Sequence, residues 1–199
     1  MFQRSIDLLR ASKDHRVLTM AISATLMPLA NVLVGLAVKD RLPFFMDSIF
    51  TAVAAAVWGP WQGLATAVMT NAFFEVLGGF TGTNLPFAVC GVATALIVWG
   101  FVRSGHHRGP LGSILCVASV TLANSLLGAL VATFVFGGGT RSNIDDVVAG
   151  FAMFTDSVLT AAFLARIPIN FIDKAIAVVP ALLLVGAMER ASSRRAGPA

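Results

Sequence analysis

Apolar residues run for ~17–25 positions between polar breaks along nearly the whole chain, which is the length that carries an α-helix across a hydrocarbon core of about 30 Å. Strands crossing a membrane would alternate with period two in pieces of about ten residues, and no such alternation is present. With 57% hydrophobic and 12% charged residues and a mean hydropathy of +0.83, the 199 residues are too apolar for an average soluble domain. The expectation is an all-α integral membrane protein built as a helical bundle.

Polar breaks divide the chain into passes. Residues 17–38 form a first crossing with Pro28 and Asn31 inside it, closed by Lys39-Asp40-Arg41. Residues 43–58 form a second that spans only ~22 Å as a helix and must therefore sit among other helices. Gly59-Pro60 allows a sharp turn, because Gly accepts unusual dihedrals and Pro is welcome at a first helical position. The third crossing runs to Gly78, the fourth covers 85–101 and the fifth 111–136, with a basic RSGHHRG loop before the fifth and GGGTRSN after it. The segment 144–167 is long enough to cross but carries Asp145, Asp146 and Asp156 and ends on Arg166-Ile167-Pro168. The last crossing covers 171–188.

The placement of basic residues chooses between six and seven crossings. With six, Arg4, Arg10, Lys13, Arg16, Arg103, Arg108, Arg190, Arg194 and Arg195 share one face, leaving Lys39, Arg41, Arg141, Arg166 and Lys174 on the other. Cytoplasmic loops collect Lys and Arg, so both termini are expected in the cytoplasm, in a bacterial-type cytoplasmic (inner) membrane. A seventh crossing would put the arginine-rich tail outside. The reading is thus a six-transmembrane-helix bundle with an extra outer-face helix, 144–167, before the last crossing. It is a single membrane domain, with 1–16 as an interfacial or solvated lead-in, 17–188 as the bundle and 189–199 as a basic tail. Trp58, Trp61 and Trp99 fall near the inner helix ends, where indole rings favour the headgroup layer. The run after residue 16 is too long for a cleaved signal peptide and lacks a small-x-small site.

This orientation gives depth to the polar groups. Asn31, Asp47, Ser48, Thr51, Glu75, Asn84 and Asp173 fall in the outer half, with Asn71 and Asn124 near the middle. Asp47 with Thr51, and Asn71 with Glu75, are four apart and share a helical face. An acid at such depth costs roughly 2.5–3.5 kcal/mol on insertion scales, so an outward pocket collecting these groups is one reading. The other is structural: Asp47 as a helix cap, Asn71 and Asn124 as interhelical hydrogen bonds, Asp173-Lys174 as a pair at the water interface. Ala52 with Ala56 and Gly63 with Ala67 have the spacing that lets helices two and three approach closely.

Catalytic signatures are missing. No GxxxxGK[ST] loop, Ser-His-Asp order or thiol-histidine pair can be assembled, so an enzyme is not expected. His15, His106 and His107 lie in polar loops without a ligand set, so no metal and no cofactor are expected. Cys90 and Cys116 would lie near opposite membrane faces, too far apart for a disulfide. Nucleic acid is not an expected partner.

Residues 42–71 carry a resemblance. Leu42-Pro43, Asp47-Ser48-Ile49, Thr51, Gly59-Pro60-Trp61, Gly63 and Thr70-Asn71, with Asp173-Lys174 opening the last helix, resemble the substrate-binding (S) components of energy-coupling-factor (ECF) transporters, a family of small six-helix vitamin and micronutrient carriers. Phe50 stands where related sequences often have a small residue. The resemblance implies capture of a vitamin-like small molecule from outside and docking to a transmembrane coupling (T) protein driven by two ATPase subunits. Carried onto this chain, it implies a lid of Lys39, Asp40, Arg41, Leu42 and Pro43 and a pocket using Asp47, Thr51, Asn71 and Glu75. Asn84, Asn124 and Asp173 join that pocket by depth. Asp47 and Glu75 point to a ligand with a positive or hydrogen-donating group. The competing expectation is a membrane sensor or assembly subunit whose polar groups only hold the bundle together.

Overall fold

The computed structural model describes residues 2–39, 42, 44–140 and 144–195. Every regular element in them is helical: α1 (Phe2–Ala24), α2 (Leu26–Lys39), α3 (Ile49–Val57), α4 (Pro60–Leu77), a 3-10 turn (Leu85–Phe87), α5 (Ala88–Arg103), α6 (Pro110–Phe134), α7 (Ile144–Ala152) and α8 (Val158–Arg195). Four stretches, Lys13–Val38, Leu85–Arg103, Pro110–Val135 and Val158–Arg194, are long and apolar enough to cross a membrane. Their outer faces present Leu33, Leu115, Leu122, Leu126, Phe171 and Leu183, a surface compatible with a multi-pass membrane protein and costly in water.

The elements form because their interruptions are chemically specified. Pro28 has no N–H for the Ala24 carbonyl, and the helix breaks at Thr25, between α1 and α2. Pro60 and Pro110 each occupy a first helical turn, where an N–H would be unpaired anyway. Gly59 (φ +115°) and Gly109 (φ +96°) precede them in a region that favours glycine. α4 has the length to cross, but Gln62, Asn71 and Glu75 make it too polar to stand alone in lipid, and it is lined by α1, α2, α3 and α5.

Two segments depart from the sequence reading. The second pass is not helical from residue 43: Pro43 lies outside the described residues, 44–48 are non-helical, and α3 begins at Ile49. Nine residues give only about 14 Å of helix. An unwound stretch survives because protein groups meet its backbone: the Met46 N–H donates to Asp173 Oδ1 at 2.7 Å, and the Phe50 N–H to Asn31 Oδ1 at 2.9 Å. Irregular backbone at membrane depth is tolerated only where it is buried in protein or lines a cavity. The segment 144–167 is likewise not one helix. α7 ends at Ala152, and α8 starts at Val158 and runs unbroken through Pro168 and Pro180 to Arg195. Pro168 deprives the Leu164 carbonyl of its N–H, yet packing along α6 keeps the helix intact.

The ends of the bundle differ. α4 begins, α5 ends, α6 begins and α8 ends at one pole, where Arg108 pairs with Glu189 at 3.1 Å. Arg103, Arg190 and Arg194 share this basic pole. The half next to it is dry and closely packed: Ala52, Val98, Cys116, Val120, Val178 and Ala181 form a fully buried core. Gly63 sits so near α3 and α5 that a Cβ there would come within 2.6 Å of the Ala55 Cβ and 2.9 Å of the Ala95 Cβ. The expected close approach of α3 and α4 is present at Gly63, while Ala67 packs against Gly91 of α5, and together these contacts hold α3, α4 and α5.

Candidate functional site

Toward the opposite pole the helices separate around a cavity of about 470 Å³, within the range of small-molecule sites. The unwound 44–48 stretch, the loop after α4, and α5, α6 and α8 enclose it. A groove of about 660 Å³ at the basic pole is a different kind of feature. It lies open on the surface, and its one acid is taken by a neighbour in the lining, Arg108 donating through Nε at 3.2 Å and Nη2 at 3.1 Å to Glu189.

One wall of the cavity comes from α8. Arg166, Asn170 and Lys174 follow at four-residue intervals and so share a face; all three are buried and all line the cavity. The Lys174 ammonium donates to the Ser48 hydroxyl at 2.8 Å, contacts Asp173 Oδ2 at 2.6 Å and lies 3.6 Å from Asp47 Oδ1. Asn170 donates to the Ser125 hydroxyl at 3.0 Å. Arg166 donates from Nη1 to the Ala162 carbonyl at 3.0 Å.

The facing walls supply carboxamides and rings. Asn124 donates to Thr94 Oγ1 and to the Val120 carbonyl, both at 3.0 Å, and Asn71 to the Ala67 carbonyl at 3.1 Å. The carboxamide oxygens of Asn71, Asn124 and Asn170 accept no hydrogen bond from the described residues, although all three side chains line the cavity. Phe44, Phe45, Phe74 and Phe87 add apolar surface, and Cys90 and Gly91 complete the α5 side. A shape with ring faces and a few convergent polar groups is what a small planar solute requires.

Of the seven expected site residues, Asp47, Asn71, Asn84 and Asn124 line the cavity; Thr51, Glu75 and Asp173 do not. Thr51 is used within the protein. Asn31 donates to Thr51 Oγ1 at 3.2 Å and Thr70 Oγ1 at 3.0 Å while accepting from Phe50 N, which ties α2, α3 and α4 beneath the cavity. Glu75 holds the loop after α4: Oε2 accepts from the backbone N–H of Asn84 at 2.8 Å and Leu85 at 3.2 Å, and Oε1 from that of Gly82. Its oxygens are thus committed, and it shapes the rim that carries Thr81, Thr83 and Asn84. Asp173, completely buried, holds Met46 in its left-handed conformation (φ +49°) and neutralises Lys174.

Other expectations also meet their outcome. Asp47 caps nothing: Ser48 is the N-cap of α3, without a side-chain capping bond. Asp173-Lys174 is no water-interface pair, since both residues are buried. Phe50 is half-buried and outside the cavity lining. Of the expected lid, Asp40, Arg41 and Pro43 lie outside the described residues, Lys39 ends α2, and Leu42 lines the cavity. Among the described residues no cluster of three or more His, Cys, Asp or Glu has metal-binding geometry. Comparison with protein-family models, curated proteins and solved structures found no match.

Proposed function

We propose that the chain is a membrane-embedded binding subunit for a vitamin-like small molecule, of the kind that serves as the S component of an ECF transporter. One observation carries this reading. A 470 Å³ cavity lies inside the bundle, lined by four phenylalanines and by three carboxamide oxygens and a guanidinium not used up by the protein. Groups that merely glued helices together would be satisfied by one another, as Asn31, Thr51 and Thr70 are.

In this reading the passes number six: α1 with α2, then α3, α4, α5, α6 and α8, while α7 packs against α8 at the cavity end. The basic pole faces the cytoplasm by the positive-inside tendency, so the cavity opens outward, with Leu42 in its lining. α3 is too short to span, and broken helices of this sort mark the substrate sites of membrane carriers. With no nucleotide-binding motif in the chain, a separate coupling protein and two ATPase subunits supply the energy. The alternative is a sensor or assembly subunit; the buried Asn31 network, which serves packing alone, is the feature that favours it.

Purification of the tagged chain from its native membrane tests the proposal. The expected result is a retained or competitively displaceable small molecule together with co-purifying coupling and ATPase subunits. Absence of both overturns it.

A further inference from the structure

Arg166 is the feature this reading leaves unexplained. It is 2% exposed, yet among the described residues no carboxylate lies within 4.0 Å of its guanidinium, and its hydrogen bond is to its own helix, at the Ala162 carbonyl. Asp145, one of two acids in the first turn of α7, acts on Arg166 only at longer range, its contacts including the Thr140 backbone N–H at 2.8 Å and hydroxyl at 2.7 Å. A guanidinium carries five N–H donors, so most of Arg166's donors have no acceptor among the described residues, and the side chain lines the cavity. Burying a cation with no carboxylate in contact is expensive. The chain even clears a place for it, because Gly128 lets the Arg166 Cδ and Nε pass where a Cβ would be 3.2 Å away from both.

The rest of the cavity has the opposite bias. Lys174 is held between Asp173 and Asp47, so that cluster carries one excess negative charge, two turns along α8 from the positive charge of Arg166. Asn71, Asn124 and Asn170, with carboxamide oxygens that accept nothing from the described residues, line the same cavity.

Resting on the solute-binding reading above, we infer that the solute is a carboxylic acid: its carboxylate seats on Arg166, and a body bearing N–H or O–H donors lies against the three asparagines and Asp47. A single guanidinium balances one negative charge and matches a carboxylate in bidentate geometry. A dianionic phosphate ester would bring a second charge with no cation left to meet it.

The test uses the full chain in detergent and a desalted small-molecule cell extract split by anion exchange into acidic and non-acidic pools, with native mass spectrometry as the readout. The expected result is one adduct per chain from the acidic pool only, resistant to prior phosphatase treatment of that pool. Arg166→Gln should weaken binding about 30-fold or more, and Arg166→Lys by less, while thermal unfolding of ligand-free Arg166→Gln stays at or above wild type. If Arg166→Gln does not fold, the neutral amide of the captured acid, measured on wild type, reads the same interaction and should bind about 30-fold more weakly. Capture from the non-acidic pool, full affinity in Arg166→Gln, or equal affinity for the amide overturns the acid while leaving a binding subunit standing. A phosphatase-sensitive adduct overturns the carboxylate in favour of a phosphate ester. No adduct from either pool overturns both this inference and the binding reading.

Discussion

The two halves of this bundle are built from the same helices and differ in what they put between them. Near the basic pole α3, α4, α5, α6 and α8 meet through Ala52, Ala55, Gly63, Ala95 and Val120, apolar residues in close contact. Toward the other pole the same helices carry Asp47, Asn71, Asn124, Arg166 and Lys174 around an empty volume. Lipid gives helices no hydrophobic reason to associate, so close contact between small residues has to hold the bundle. The dry half supplies that contact, and the other half can then keep a hole and a buried cation that would otherwise be ruinous.

If the dry half holds the bundle, breaking it should abolish everything. Gly63→Leu, forced against the Ala55 and Ala95 Cβ atoms, should destroy the monodisperse size-exclusion peak and with it all ligand binding; a stable, binding-competent variant would show that the contact is dispensable. In the cavity half the largest effect belongs to Lys174. Lys174→Met strands buried Asp173 beside Asp47 and should cost about 3–5 kcal/mol in chemical unfolding, with partial recovery in Lys174→Met/Asp173→Asn. Equal stability of the single and double variants would mean that the ion cluster is not what holds this wall.

Smaller effects separate shape from contact. Glu75→Gln leaves the cavity lining intact but weakens the bonds to the Gly82, Asn84 and Leu85 N–H groups. It should cost about 1–2 kcal/mol and accelerate ligand release, read by stopped-flow displacement, more than it slows capture. The smallest stability change is expected for Asn124→Leu. Thr94 keeps its bond to the Cys90 carbonyl at 3.0 Å, so unfolding should shift by no more than about 1 kcal/mol while affinity falls about tenfold. A stability loss without an affinity loss would make Asn124 a packing group.

Much of the dry half was legible in the sequence, because run length and small-residue spacing report directly on helices and their approach. The cavity half was legible only in part. Asp47, Asn71, Asn84 and Asn124 could be placed by depth, but depth does not say which way a side chain faces, and Thr51, Glu75 and Asp173 turned out to hold the protein rather than line its cavity. The missed residues, Arg166 and Asn170, share one cause. Pro168 reads as the end of an element, whereas packing on α6 carries the helix through it; with α8 continuous, they fall with the already noted Lys174 at i, i+4 and i+8 on one face. That spacing was present in the sequence, hidden by a local rule that tertiary packing overrides. The unwinding of 44–48 had no comparable signal, since the groups that meet its backbone and the first turn after it, Asp173 and Asn31, are remote in the chain.

The central claim is that the cavity half exists to hold a solute, and one measurement tests it most directly. Native mass spectrometry of gently solubilised chain, wild type beside an Asn71→Leu/Asn124→Leu variant with an unchanged unfolding transition, should show one small-molecule adduct per chain in the first and bare protein in the second. Bare protein in both after exposure to cell extract, or an adduct that survives the double substitution, would contradict the account.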